Sequence, residues 1–385
     1  MYKNQVSYTF CESYDNNAVK ESIEKILSSF PDLNEKLQSK KLNILIKPNL
    51  LAPRHPDKAV TTHPAVLKAI IEYLKQFDCN ITIADSPAGA YSTKILDKLY
   101  KTCEIEKVAQ ETVCNLNYDL SDTVVEFPEG KVLKKSLIIK PAVEADFIIS
   151  VSKLKTHTLT RLTCATKNLF GLMPGILKYR QHLAMPDIRI FSQMIIDINK
   201  YFEGKVFHVV DGIIGMEGEG PSGGEPKFAG SLFGGWNPLS VDVLACNIMG
   251  MQPDTVPTLI GYKRLKDIKI VKFDEIRTYN FKLPPERYRS LPDYIPNFVQ
   301  NILTDIIVAK PVINNKTCQK CNICVKSCPA EIISMNEKGA YITSYKTCIK
   351  CYCCQEACPH KSIHLSKPLI EKIYRIIRKL KTKKS

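Results

Sequence analysis

Eight of the fifteen cysteines fall in two copies of one spacing near the C-terminal end: Cys318, Cys321, Cys324, Cys328-Pro329, then Cys348, Cys351, Cys354, Cys358-Pro359. Each copy reads C-x2-C-x2-C-x3-C-P. Thiolates are soft donors, and a triplet on a tight loop followed by a proline-flanked fourth suits iron joined by inorganic sulfide, which needs four thiolates around one small volume. Structural zinc usually takes paired ligands and disulfides belong to small secreted chains, so both readings are weaker. The chemistry indicated is one-electron transfer.

A second set of polar residues lies upstream. Alternating apolar runs and helical patterns predict strands at Leu42 to Ile46, Ile81 to Ala84, Phe147 to Val151, Val206 to Val210 and Lys269 to Phe273. Helices are expected between them, among them Pro64 to Phe77, Ile188 to Tyr201 and Pro238 to Met249. This pattern predicts an α/β domain with a mostly parallel sheet flanked by helices, followed by a small α+β module carrying the cysteines. The expected division is 1–280 for the α/β domain, 281–310 for a proline-rich connector ending in a short helix over Asn297 to Pro311, 311–366 for the cysteine module and 367–385 for a basic tail.

The polar clusters follow the carboxyl ends of the predicted strands, where open α/β sheets bind ligands. They are Lys47-Pro48-Asn49, Asp85-Ser86-Pro87-Ala88-Gly89, Lys153 with Lys155, Thr156 and His157, and Asp211-Gly212. Lys47, Asn49, Lys153, Lys167, Asn168, Asp211 and Glu217 are candidates for binding a substrate, and the lysines among them favour an anion such as a carboxylate or phosphate. His157, Lys155 and Asp85 are the catalytic candidates: His157 as proton donor, with Asp85 or Asp211 orienting it or holding a metal. His63 is expected to serve the entry of the helix at Pro64 together with Thr62, whose hydroxyl can accept a backbone N–H as its cap. The glycine-rich run Glu217 to Pro226 reads as a mobile lid, a phosphate cradle or an exposed connector; it lacks the Gly-Lys-Ser/Thr of a nucleotide loop. Cys164 is either a thiolate near cations or, preferably, a small buried residue, Cys246 is core, and Cys353 is a spare thiol.

The cysteine repeats are similar to those of bacterial two-cluster ferredoxins. That resemblance implies two 4Fe-4S clusters with crossed fourth ligands: Cys318, Cys321, Cys324 and Cys358 on one, and Cys348, Cys351, Cys354 and Cys328 on the other. Upstream, Ile46-Lys47-Pro48-Asn49-Leu50, Thr62-His63-Pro64, Ala84-Asp85-Ser86-Pro87, Lys153-Leu154-Lys155-Thr156-His157 and Lys167-Asn168-Leu169-Phe170-Gly171 resemble the DUF362 family. So do Asp211-Gly212, Glu217-Gly218, Gly220-Pro221 and Asp242. The resemblance spans roughly Lys41 to Met249, and fused ferredoxin repeats are a frequent companion in that family. It implies no catalytic assignment.

The formal charge of +15 is uneven, because residues from Lys367 onward carry eight Lys/Arg against Glu371. Val312 to Ser366 holds seven Lys and three Glu, and two oxidised clusters with their thiolates, roughly −2 each, would bring it near neutral. A basic surface suits docking of an acidic electron donor such as ferredoxin or flavodoxin. The tail places Ile370, Ile373, Tyr374, Ile376, Ile377 and Leu380 at helical spacing among Lys and Arg. It reads as a helix capping the cysteine module, with peripheral membrane contact as the less favoured alternative. Nucleic-acid binding is not expected, for want of a recognition motif or an aromatic-studded basic platform. No basic-then-apolar leader precedes Cys11, and the most apolar stretch, Phe298 to Val312, is broken by Gln300, Asn301, Asp305 and Lys310, so a cytoplasmic location is expected. Three functions follow: a reductase delivering electrons to an anionic small molecule, a non-catalytic electron-transfer adaptor, or a metal-cofactor or cluster assembly protein.

Overall fold

The computed structural model describes residues 4–263, 267–284 and 309–366. Most of the expected connector and the whole basic tail lie outside the described residues. The chain divides into two compact units, the larger drawing on residues up to Gln181 and on Asp187–Pro284, the smaller containing the cysteine repeats.

The larger unit is built on a nine-stranded sheet. Its strands are β1 (Gln5–Phe10), β2 (Leu42–Pro48), β3 (Cys79–Ile83), β4 (Asn115–Leu116), β7 (Phe147–His157), β8 (Arg161–Thr163), β9 (Val206–Glu217), β10 (Glu225–Gly235) and β11 (Lys269–Lys272). The separate hairpin β5 (Asp122–Glu126) and β6 (Lys135–Ile139) intervenes. Spatial order is β11-β1-β10-β9-β7-β2-β3-β4, with β8 paired on β7. The inner strands β9, β7, β2 and β3 run parallel, in registers such as Ile44 opposite Ile81 and Phe147. Such strands are covered on both faces and must be apolar throughout. Accordingly Ile44, Ile46, Ile149, Val151, Phe207 and Val209 pack with Val19, Ile23, Val66 and Ile70 of the helices Asn16–Ser28 and Pro64–Leu74. On the other face Val6, Tyr8, Val210 and Phe233 meet Val241 and Leu244 of Pro238–Met249. The fold class is the expected one, with helices on both faces of a mostly parallel sheet.

Two expectations are corrected. β7 and β9 run well past Val151 and Val210, so Lys153, Lys155, His157 and Asp211 are strand residues rather than loop residues. The extension persists because the two strands keep pairing with each other, Lys153 opposite Asp211 and Lys155 opposite Met216 across a bulge. The glycine-rich run is the connection of the β9–β10 hairpin, and it is held: the Thr158 amide donates to Gly220 O (3.0 Å) and the Thr156 hydroxyl to Gly218 O (3.0 Å).

In the smaller unit β12 (Pro311–Ile313) pairs with β15 (Ile363–Leu365) and β13 (Ile333–Asn336) with β14 (Gly339–Ile342), all antiparallel, beside the short helices Ile323–Lys326 and Cys353–Ala357.

Candidate functional site

The two cysteine repeats fold alike. Lys320, Asn322 and Glu331 adopt left-handed backbone, and so do Lys350, Tyr352 and Lys361 at the same offsets in the second repeat. Non-glycine residues resist that conformation, so its recurrence marks loops bent to curl around something. Each loop borders its own small cavity. Cys318, Cys321 and Cys324 line one together with Cys358 from the other repeat; Cys348, Cys351 and Cys354 line the second together with Cys328. Apolar side chains complete the walls, Ile313, Met335 and Ile363 around the first and Ile332, Ile342 and Tyr352 around the second. Burial, and then the neighbouring thiols of Cys358, Cys321 and Cys318, push the Cys324 thiol up to about 11. Thiolates crowded into an apolar pocket are unfavourable unless a cationic centre joins them, which iron would supply. Among the described residues no three His, Cys, Asp or Glu side chains close on a single point as a lone metal ion requires. The quartets frame volumes, and the donor set fits a cluster.

In the α/β unit the strand-edge residues converge into one hydrogen-bonded network. The Lys47 ammonium lies 2.7 Å from Asp85 Oδ1 and donates to Asn168 Oδ1 (3.2 Å) and to Pro48 O (2.6 Å). Asn168 Nδ2 returns to Lys47 O (3.2 Å) and Ser150 Oγ (2.9 Å), while Asn49 Nδ2 donates to Asn168 Oδ1 (3.2 Å). Lys155 extends the chain, donating to Asn49 Oδ1 (2.8 Å) and Val60 O (2.7 Å). At the other end Asp85 accepts the amides of Leu50 (2.7 Å) and Ser86 (2.9 Å), and Ser86 in turn accepts Lys178 through Oγ (3.0 Å) and its carbonyl (2.9 Å). Gly171 roofs the ion pair. A Cβ there would sit 2.7 Å from Lys47 Nζ and 2.8 Å from Asp85 Oδ1, so a larger residue would have to displace the ion pair.

A second group adjoins it. Asp211 accepts from Tyr14 Oη, Lys153 Nζ and the His63 amide, each at 2.8 Å. The Tyr14 and His63 rings stack with centroids 3.5 Å apart. Thr62 links the two groups, its hydroxyl accepting the Asn49 amide (2.9 Å) and donating to Val151 O (2.7 Å). The cap of the following helix is therefore His63 and not Thr62: His63 directly precedes Pro64, and its Nδ1 accepts the Ala65 amide (3.2 Å).

Burial governs the electrostatics. Lys47, Lys153 and Lys155 are at most 1% exposed and Lys178 is 7% exposed. Burial draws the Lys47 and Lys153 pKa values below the ordinary lysine range, with Asp85 and Asp211 respectively opposing the shift. Lys178 is drawn down to about 7, by burial first and then by Lys47 and Lys167, against the pull of Asp85.

The structure thus brings together Lys47, Asn49, Asp85, Lys155 and Asn168, and places Lys153 with Asp211. Other candidates stand apart. His157 is fully buried with Nδ1 accepting the amides of Leu159 (3.0 Å) and Thr160 (3.3 Å), so it shapes the turn from β7 to β8. Glu217 closes β9 by accepting the Lys282 amide (2.8 Å), and Lys167 lies over the Phe170 ring (5.7 Å). The metal reading of Asp85 and Asp211 is corrected: both carboxylates are occupied by ammonium and amide donors. Cys164 is core, its thiol pushed well up by burial and then by Asp242. Tyr14 and Lys178 were not among the sequence candidates. Tyr14 sits in a polar stretch without periodicity, and Lys178 carries no local signal beyond a charge between Leu177 and Tyr179.

His63 gives the network a pH signature. Burial lowers its pKa from 6.5 to about 4, so from pH 6.5 down to 4 the unfolded chain binds a proton that the folded chain refuses. Stability is therefore lost as pH falls through that window and is unaffected by His63 above it, by at most about 3 kcal/mol at roughly 1.4 kcal/mol per unit. Asp242, held up to about 6 by burial, works in the opposite sense between 3.8 and 6. The diagnostic is thus a comparison: His63→Asn, which can cap without titrating, should flatten the fall in denaturation midpoint between pH 6.5 and 4. An unchanged slope would mean that the histidine is protonated in the fold.

Residues 44–247 match the model of a domain of unknown function (DUF362), and residues 310–359 match that of a 4Fe-4S dicluster domain. The thylakoid-associated protein sll1697 of Synechocystis sp. is 28% identical over 229 residues, 58% of this chain and 67% of its own. Among solved structures, the lactate racemase apoprotein from Thermoanaerobacterium thermosaccharolyticum superposes with a TM-score of 0.35 at 18% identity over 53% of this chain and 50% of that one. A protein from Thermotoga maritima gives 0.37 at 13% identity over 60% and 58%. The chain spans only half to three-fifths of the length of these two structures. Among the described residues no helix is long and apolar enough to cross a membrane. With more than half its length matched by that family model, and its strand-edge motifs meeting in one network, the chain belongs to the DUF362 family and carries a C-terminal iron–sulfur binding domain of the 4Fe-4S dicluster type.

Proposed function

We propose that this chain is an iron–sulfur redox protein with two 4Fe-4S clusters, one on Cys318, Cys321, Cys324 and Cys358, the other on Cys328, Cys348, Cys351 and Cys354. It acts as a reductase, delivering electrons to a small anionic substrate at the carboxyl edge of the α/β sheet. The observation that carries the redox reading is the gathering of each quartet around its own cavity, three thiols from one repeat and one from the other. The substrate reading draws on the cost of the network: four ammonium groups buried at one sheet edge stabilise no better than apolar packing would, so chemistry is the economical reason to keep them. Lys178, drawn near neutrality, has the character of an acid–base group. An acidic carrier such as ferredoxin or flavodoxin supplies the electrons, in a reducing, cytoplasmic setting.

A second reading, a non-catalytic electron-transfer adaptor, is favoured by one feature. Lys47, Lys153, Asp85 and Asp211 already satisfy one another, so the large domain would serve to dock a partner enzyme. The two separate in one experiment. Anaerobically reduced protein is mixed with a panel of carboxylates and phosphates while cluster absorbance and the thermal midpoint are followed. The reductase reading expects at least one anion to raise the midpoint and speed reoxidation, since a ligand that binds the native state stabilises it. If no anion does either and a partner oxidoreductase drains the electrons instead, the adaptor stands.

A further inference from the structure

At the opposite edge of the sheet, where β9 begins and β10 ends, a cleft of about 800 Å³ is lined by residues of the helices Ile188–Tyr201 and Pro238–Met249. That volume suits a small organic molecule. His208 lines it from β9. Its neighbours Phe207 and Val209 belong to the apolar core, yet His208 itself is only 2% exposed, and its Nδ1 has no hydrogen-bond partner among the described residues. Leaving such an atom buried and unpaired costs about 1–3 kcal/mol, which a ligand would relieve. Burial alone lowers its pKa to about 3, so the ring is neutral near pH 7.

Asn199 points to the same kind of ligand. Its Nδ2 donates to Thr166 O (2.7 Å) and Ile195 O (2.8 Å), which fixes the amide and leaves Oδ1, an atom that can only accept, without a partner among the described residues. The charged lining consists of the carboxylates of Asp32, Glu129 and Glu203 and the ammonium of Lys200, which pairs with Glu129 (3.5 Å) and with Glu203 and leaves the wall net negative. Two further cations flank the cleft and both are engaged, Lys36 by Gly204 O (2.9 Å) and the Phe147 ring (5.2 Å) and Lys205 by Val143 O (2.8 Å). Trp236 supplies an aromatic wall, with Nε1 on Asp32 Oδ1 (3.3 Å).

We propose that this cleft binds a small organic cation, an amine or amidine on a compact apolar body, which donates to Asn199 Oδ1 and His208 Nδ1 and rests against Trp236. Neutral His208 and the acidic lining select against anions, and the indole face adds attraction for positive charge. The site is independent of the strand-edge network.

Trp236 is the only tryptophan in the chain, so its fluorescence reports on the cleft directly. Full-length protein is titrated with benzamidine, benzamide and benzoate, which share one body and differ in charge. Benzamidine should saturate and bind at least tenfold more tightly than either of the others. His208→Leu and Asn199→Leu should each weaken it at least tenfold, with iron content and circular dichroism unchanged. Should the histidine variant fail to fold, the asparagine variant, at a partly exposed helix position, carries the test. The proposal is overturned if benzamide or benzoate binds as well as benzamidine, if none of the three saturates, or if benzamidine binds the folded variants as it binds the parent.

Discussion

Replacing Cys358 with serine is expected to remove the cluster bound by the loop Cys318–Cys324, in the opposite repeat, and to spare the one beside it in sequence. The reason is geometric. Cys358 follows the second triplet in the chain but borders the cavity of the first, and Cys328 has the converse placement. A serine oxygen is a poor substitute for thiolate toward iron, so iron should fall to about half and the magnetic coupling between two reduced clusters should vanish. The informative comparison is among four single variants. Cys358→Ser should share its electron paramagnetic resonance spectrum with Cys318→Ser, and Cys328→Ser should share its own with Cys348→Ser. If Cys358→Ser instead matches Cys348→Ser, each repeat holds its own cluster and the crossed assignment is wrong.

Asp211→Asn should cost the larger unit about 3–5 kcal/mol, the usual penalty for breaking a buried ion pair. Asp211 is fully buried and receives three donors: a phenol, an ammonium and a backbone amide. Asparagine keeps one carbonyl oxygen but turns an amino group toward donors, leaving Lys153 without its counter-charge. By the usual proportion of roughly 2–4 °C per kcal/mol for a unit of this size, the thermal midpoint should fall by about 10 °C. The exposed pair Lys25–Glu21 provides the contrast, since its loss should stay within about 0.5 kcal/mol. The double variant Lys153→Met with Asp211→Leu should recover part of the loss, because it removes both charges together. If Asp211→Asn leaves the midpoint untouched, the carboxylate is not committed to holding the fold.

The sequence showed its chemistry unevenly, and the reasons are physical. Cluster spacing is local, so the cysteine repeats could be read directly from Cys318 to Cys358. Two helices were legible to the residue, Ile188–Tyr201 from its apolar stripe and Pro238–Met249, which is buried on nearly every side. The strand edges were legible as a location and not as an arrangement. Lys47, Lys153 and Asp211 announce a charged edge, but whether such groups face a ligand or one another depends on strands brought together only by the fold. Tyr14 illustrates this: it reaches Asp211 and Ile214 from far away in the sequence, and no local pattern announces it. The glycine-rich run misled for a simpler reason. It joins β9 to β10, and its ordering by Thr156 and Thr158 is a tertiary effect that no local pattern announces.

Electron transfer through this chain requires iron and sulfide in the C-terminal domain. The most direct test is chemical analysis of the full chain purified without oxygen, together with its spectrum after reduction. About eight iron and about eight acid-labile sulfide per chain are expected, roughly four for each cluster, with a reversible bleaching of visible absorbance on reduction. A folded chain holding zinc, or iron without sulfide, would contradict this.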